Sequence, residues 1–245
     1  MEATNIIRDA VQRVALLRQS AAGAPGLAQA LSAVKQFQAK RFAATYADLL
    51  ASPQYRPAAL FFLEELYSEK DYSQRDAQFA RIASGLERVF PAQVVQTAVS
   101  LAQLHRLTEE LDLAMARCWL ADSSRNEIAR YVAAWRAVGR QGDRETQLTA
   151  VLSVGQELDH LTRTPGLRLT LKMMRGPAKL MGMGALQSFL EAGFDTFAAM
   201  GRKGAGATYF LDTVRQREAA LIARLFSASA VACETEIAQA LGQAR

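Results

Sequence analysis

The feature that most constrains this chain is the spacing of its apolar residues. They recur every three or four positions. Ile6, Ile7, Ala10, Val11, Val14 and Leu17 do so near the start, and Phe79, Ile82, Leu86, Val89 and Phe90 further on. Leu101, Leu104, Leu107, Leu111, Ala114, Met115 and Cys118 continue the pattern. This is the period of an α-helix with one buried face. No run of alternating β-branched residues bounded by turn residues competes with it. Ala, Leu, Gln, Arg and Glu, all good helix formers, dominate the composition. The expectation is an all-α fold, a compact multi-helix bundle of about ten helices, forming a single domain over residues 1–245.

Glycine and proline place the breaks: 21–26, 139–142, Pro165-Gly166, Gly176-Pro177 and 201–206. Between them the pattern predicts helices near 4–20, 27–51, 91–121, 143–163, 167–175, 177–200 and 207–242. Ser52-Pro53 and Ser73-x-x-Asp76 read as the starts of two more, and Ser124-x-x-Glu127 as the start of another.

One stretch is densest in aromatic and paired charged residues. Phe61-Phe62-x-x-x-Leu66-Tyr67-x-x-x-Asp71-x-x-x-Arg75-Asp76 reads as a buried helix end, a polar turn and a new helix start. Asp71, Arg75 and Asp76 suit capping and a surface ion pair. The alternative is a polar site walled by Tyr67 and Tyr72, with Arg75 or Arg81 holding an anion and His105 nearby. This motif, together with Gly184-Ala185-Leu186-Gln187-Ser188-Phe189-Leu190-Glu191-Ala192-Gly193-Phe194, resembles an uncharacterised bacterial family. Members often carry Gly after the Leu-Tyr, where this chain has Ser68. The resemblance implies no activity, cofactor or catalytic residue.

Charge is distributed unevenly. From His160 to Leu190 there is no acidic residue, yet Arg163, Arg168, Lys172, Arg175 and Lys179 fall there. The chain's net charge is +5, so the remainder is neutral. On one continuous helix Arg168, Lys172, Arg175 and Lys179 would form a single basic ridge, an anion-binding candidate set among Leu167, Leu171, Met174, Leu180, Met181 and Met183. Such a segment can rest on anionic lipid or grip an acidic partner. The plainer reading is helix-end complement by Lys172 and Arg175, with methionines filling core gaps.

Catalytic signatures are sparse. Glu157-x-x-His160 has the spacing of one half of a di-iron site, but the second such pair is missing; His105 with Glu109 has the wrong order and spacing. Gly-x-Ser-x-Gly is absent, and Gly182-Met183-Gly184 lacks the strand and third glycine of a phosphate loop. Glu218, beside the stripe of Leu211, Val214, Leu221 and Leu225, is expected to be exposed at the stripe's edge. The expected role is therefore binding without catalysis or cofactor. The expected partner is another protein, a second copy of the chain included, with an anionic ligand or membrane surface as the alternative. No nucleic-acid recognition module accompanies the basic segment. A metal-dependent bundle enzyme on Glu157, His160 and His105 is the other class held open. The two cysteines read as free thiols, the first residues show no leader pattern, and the cytoplasm is the expected address.

Overall fold

The computed structural model describes residues 2–66, 72–89, 92–122, 126–201 and 206–243. Among these residues the chain is all-α, with no strand. The helices are α1 (Glu2–Ala22), α2 (Leu27–Thr45), α3 (Ala47–Ala51), α4 (Arg56–Leu66), α5 (Ser73–Val89), α6 (Ala92–Ala121) and α7 (Glu127–Val138). They continue as α8 (Gln141–Thr162), α9 (Leu167–Met173), α10 (Arg175–Leu180), α11 (Gly184–Met200), α12 (Gly206–Ser227) and α13 (Ala230–Gln243). No described helix is long and apolar enough to cross a membrane.

Three of the helices expected from sequence are each divided in two. The expected helix 27–51 breaks at Tyr46. The carbonyl of Thr45, orphaned by the helix end, accepts a hydrogen bond from Arg217 Nη1 at 2.7 Å. The expected helix 177–200 breaks at 181–183, and the expected helix 207–242 breaks after Ser227. There Ser229 restarts the chain as α13, its hydroxyl accepting from the Ala232 N–H at 3.2 Å. Other starts also differ. Ser52 closes α3 instead of opening α4. Ser73 is the first residue of α5, so the capping position falls to Tyr72, whose carbonyl takes the Asp76 N–H at 2.9 Å. Helix α7 is capped by Asn126, whose side chain accepts from the Ala129 N–H; Ser124 lies outside the described residues.

The chain divides into two compact units. The first comprises Met1–Ala15, Asp71–Arg106 and Ala150–Leu211. In it Ile7 and Ala10 of α1 pack with Ala83 of α5 and with Val95, Ala98, Val99 and Ala102 of α6. Thr4 Oγ1 donates to the Ala83 carbonyl at 3.0 Å, so the polar group entering this core is satisfied. Gln78, also buried, accepts the N–H of Leu186 at 3.0 Å and so ties the first turn of α11 to α5.

The second unit comprises Leu16–Lys70, Leu107–Thr149 and Asp212–Arg245. Its core draws on α2, α6, α7, α12 and α13 around a chain of rings. Phe37 lies 4.6 Å from Tyr131 and 6.2 Å from Trp119, and Tyr131 lies 5.8 Å from Trp135, measured between ring centroids. These are the offset and tilted separations aromatic rings prefer. Gly26 precedes α2 with φ +74°, the left-handed region that favours glycine.

Candidate functional site

The second unit carries charge inside its core. On α2, Val34, Phe37 and Phe42 form a buried stripe, and Gln38 and Arg41 belong to the same stripe. Arg41, 4% exposed, donates from Nη1 to Glu218 Oε1 on α12 at 2.6 Å. The fully buried Tyr46 donates its hydroxyl to the same oxygen at 3.0 Å. Gln38 Nε2 donates to Asp112 Oδ1 at 3.1 Å, and Lys35 Nζ to Glu109 Oε1 at 2.8 Å. Lys35 and Gln38 are one turn apart on α2, as are Glu109 and Asp112 on α6. The two helices are thus joined by two polar rungs at matched spacing. Arg144 of α8 is also buried, its guanidinium 4.1 Å from the Trp135 ring centroid. A buried charge without a partner is costly, so removing one member of a rung leaves the other to bear that cost.

This network corrects the expectation for Glu218, which is neither exposed nor at the edge: it is 8% exposed and held by Arg41 and Tyr46. Arg215 and Arg217, its sequence neighbours, pair instead with Asp212 and Asp48.

Burial pushes Asp112 above its ordinary value of 3.8, and the Glu109 charge adds to this against Lys35, Arg144 and the Gln38 amide. The sign of the resulting pH dependence follows. A raised folded-state value means the contribution is fully present below the unfolded value and is lost as pH rises through the folded one. Asp112→Asn, which mimics the neutral acid, should therefore gain stability over the parent as pH rises from about 4 to about 8. Urea midpoints at the two pH values measure this. A variant that instead falls behind at the higher pH would show that the ionised carboxylate is the favoured form.

In the first unit, α5 and α6 bring together part of the polar site expected from the motif. Asp76 is buried, and its Oδ2 lies 3.0 Å from His105 Nε2. Arg75 Nε lies 3.8 Å from the other carboxylate oxygen. The Arg75 guanidinium sits 4.0 Å from the Tyr72 ring centroid and 4.7 Å from that of Phe189 on α11. Arg75 and Asp76 are thus an interior pair between aromatic walls, not a surface ion pair. Arg81 does not join them: its Nη1 reaches the Met181 carbonyl at 3.4 Å. Tyr67 and Asp71 lie outside the described residues. Asp76 can orient the imidazole of His105.

The metal candidates do not converge. Glu157 Oε2 accepts from Gln93 Nε2 at 2.6 Å, and His160 is exposed. Among the described residues no three His, Cys, Asp or Glu side chains come together as a metal site.

The basic segment also differs from expectation. Pro177 does not break the ridge; it occupies the first turn of α10, where its missing N–H goes unneeded. The break falls earlier, at Met174. Three of the five cations are paired with carboxylates just outside the acid-free stretch. Arg163 binds Asp159 at 2.6 Å, Arg168 binds Asp195 at 2.8 Å, and Arg175 forks onto Glu191. Lys172 and Lys179 form no ion pair among the described residues, and both are exposed. In the same segment of sequence Leu169, Met173 and Met181 are more than half exposed and Leu180 is 90% exposed.

Residues 17–232 match the profile of a family described as a domain of unknown function, DUF8198. The chain belongs to that family. No curated protein and no solved structure matches it. Within this DUF8198 chain, the matched span takes in the Arg75–Asp76–His105 cluster, the buried rungs of the second unit and the exposed face of α9 and α10.

Proposed function

We propose that the chain works by binding rather than by catalysis, and that its contact face is the exposed side of α9 and α10. The observation that supports this is the concentration of unpaired surface there. Four of the eight large apolar side chains that stand exposed among the described residues fall between Leu169 and Met181, beside two lysines without ion pairs. Apolar surface gathered in one place and rimmed by charge marks an interaction site, whereas scattered exposed side chains do not. Leu169 and Met173 are one helical turn apart and share a face of α9, with Lys172 adjoining. The partner presents negative charge, which Lys172 and Lys179 meet.

Retention on a polyanionic heparin resin at low salt tests this reading without presuming the partner. Changing Lys172 and Lys179 together to Gln should lower the salt needed for elution. Changing the exposed Lys40 and Arg56 of the second unit to Gln removes the same charge elsewhere and should lower it less. Equal shifts for the two variants would mean that net charge alone governs retention and that α9 and α10 form no special face.

A further inference from the structure

We infer that the partner of this face is the surface of an anionic phospholipid bilayer, with Leu180 and Met181 entering the headgroup region and Lys172 and Lys179 lying against lipid phosphates; this rests on the binding reading above.

The tip is built, not frayed. Gly182, with φ +69°, ends α10 in the left-handed conformation. The Met183 N–H closes onto the Ala178 carbonyl at 2.7 Å and the Gly182 N–H onto the Lys179 carbonyl at 3.1 Å. This is the paired hydrogen bonding of a glycine-terminated helix end, and the two residues that flank it, Ala178 and Met183, are buried. Arg81 braces the turn from α5 through the Met181 carbonyl. The anchored Ala178 and Met183 leave Leu180 and Met181 between them facing outward. An apolar pair held outward by a fixed turn is surface that the fold maintains.

The identity of the free cations points to lipid over protein. Protein interfaces favour arginine and aromatic side chains and are poor in lysine. Here the arginines are already engaged: Arg168 by Asp195, Arg175 by Glu191. The cations of this face that form no ion pair among the described residues are lysines, whose long apolar stems can lie along a hydrocarbon boundary while the ammonium group stays at the phosphates. From His160 to Ser188 there is no Phe, Tyr or Trp to serve as a protein hot spot. The carboxylates bordering the face would oppose a phosphate surface if free, but each is held: Asp159 by Arg163, Asp195 by Arg168, Glu191 by Arg175 and Gln187. The face therefore shows a bilayer apolar side chains and net positive charge.

Co-sedimentation of the full chain with vesicles decides the matter. Phosphatidylcholine vesicles containing about a third phosphatidylglycerol should pellet the protein at low salt, pure phosphatidylcholine vesicles should not, and added salt should release it. Lys172→Gln with Lys179→Gln should weaken partitioning by about tenfold or more. Leu180→Asn with Met181→Asn should weaken it comparably, since the tip supplies the apolar part of the contact. Circular dichroism of each variant checks that it is folded. Four outcomes overturn the inference. Absent pelleting, with the heparin difference intact, leaves the binding reading standing and makes the partner an acidic protein surface. Absent pelleting without a heparin difference removes both. Loss through the lysine pair but not through the tip pair reduces the contact to charge alone. Concentration-dependent dimers that the tip pair abolishes would make a second copy of the chain the occupant.

Discussion

Replacing Arg41 by alanine is expected to destabilise the second unit by about 3–5 kcal/mol. The guanidinium and Glu218 are both nearly removed from solvent, with side-chain exposures of 5% and 11%. Losing the arginine leaves the Glu218 carboxylate in the core with the Tyr46 hydroxyl as the remaining partner of that oxygen. The cost is then the desolvation of an uncompensated charge, which exceeds what the pair contributes when intact. The double replacement of Arg41 by Met and Glu218 by Leu should be far milder than Arg41→Ala, because it removes both charges and refills their volume. Urea unfolding followed by circular dichroism would rank the three proteins. A loss within about 1 kcal/mol for Arg41→Ala, the range of exposed pairs, would mean that water reaches Glu218 and that this pair is not interior.

Phe37→Ala should cost a similar amount, about 3–5 kcal/mol, by a different route. The ring is 2% exposed and joins Tyr131 to Trp119. Removing it opens a cavity at the centre of the aromatic chain and forfeits two ring contacts, each worth roughly 0.5–1.5 kcal/mol beyond area burial. Phe37→Leu keeps much of the volume and should cost clearly less. Equal losses for the two substitutions would show that the ring's geometry, not the filled space, holds this core together.

The helical architecture could be read from sequence because apolar period is a local signal, carried by residues such as Ile7, Ala10 and Val14 within one helix. The divided helices could not. Tyr46 is an ordinary helix-compatible residue, and the carbonyl of Thr45 beside the break is met by Arg217, which lies 172 positions beyond Thr45. Pro177 misled in the opposite direction, since a proline in a helix's first turn costs nothing. Half of the motif's polar cluster could be anticipated from Arg75, Asp76 and His105. Phe189 was missed although the second resembling segment contains it; the contact between the two segments is a tertiary fact. The buried rungs escaped because Lys35, Glu109 and Asp112 look like solvated helix faces when read singly. One signal was available. Val34, Phe37, Gln38, Arg41 and Phe42 are spaced three, one, three and one, so two polar residues stand inside an apolar stripe. A stripe that admits an arginine implies a carboxylate opposite, and Glu218 met that need from 177 residues away.

The division of the chain has a practical consequence for optical work. Both tryptophans, Trp119 and Trp135, and both cysteines, Cys118 and Cys233, belong to the second unit. The first unit therefore has no indole emission and no thiol of its own. Cys233 is buried, and burial pushes the Cys118 thiol up, away from its reactive thiolate form. A cysteine introduced at the exposed Leu180 would accordingly take a maleimide dye ahead of the native pair. Such a molecule would carry two separately addressed colours, the dye reporting the face of α9 and α10 and the native emission reporting the aromatic core.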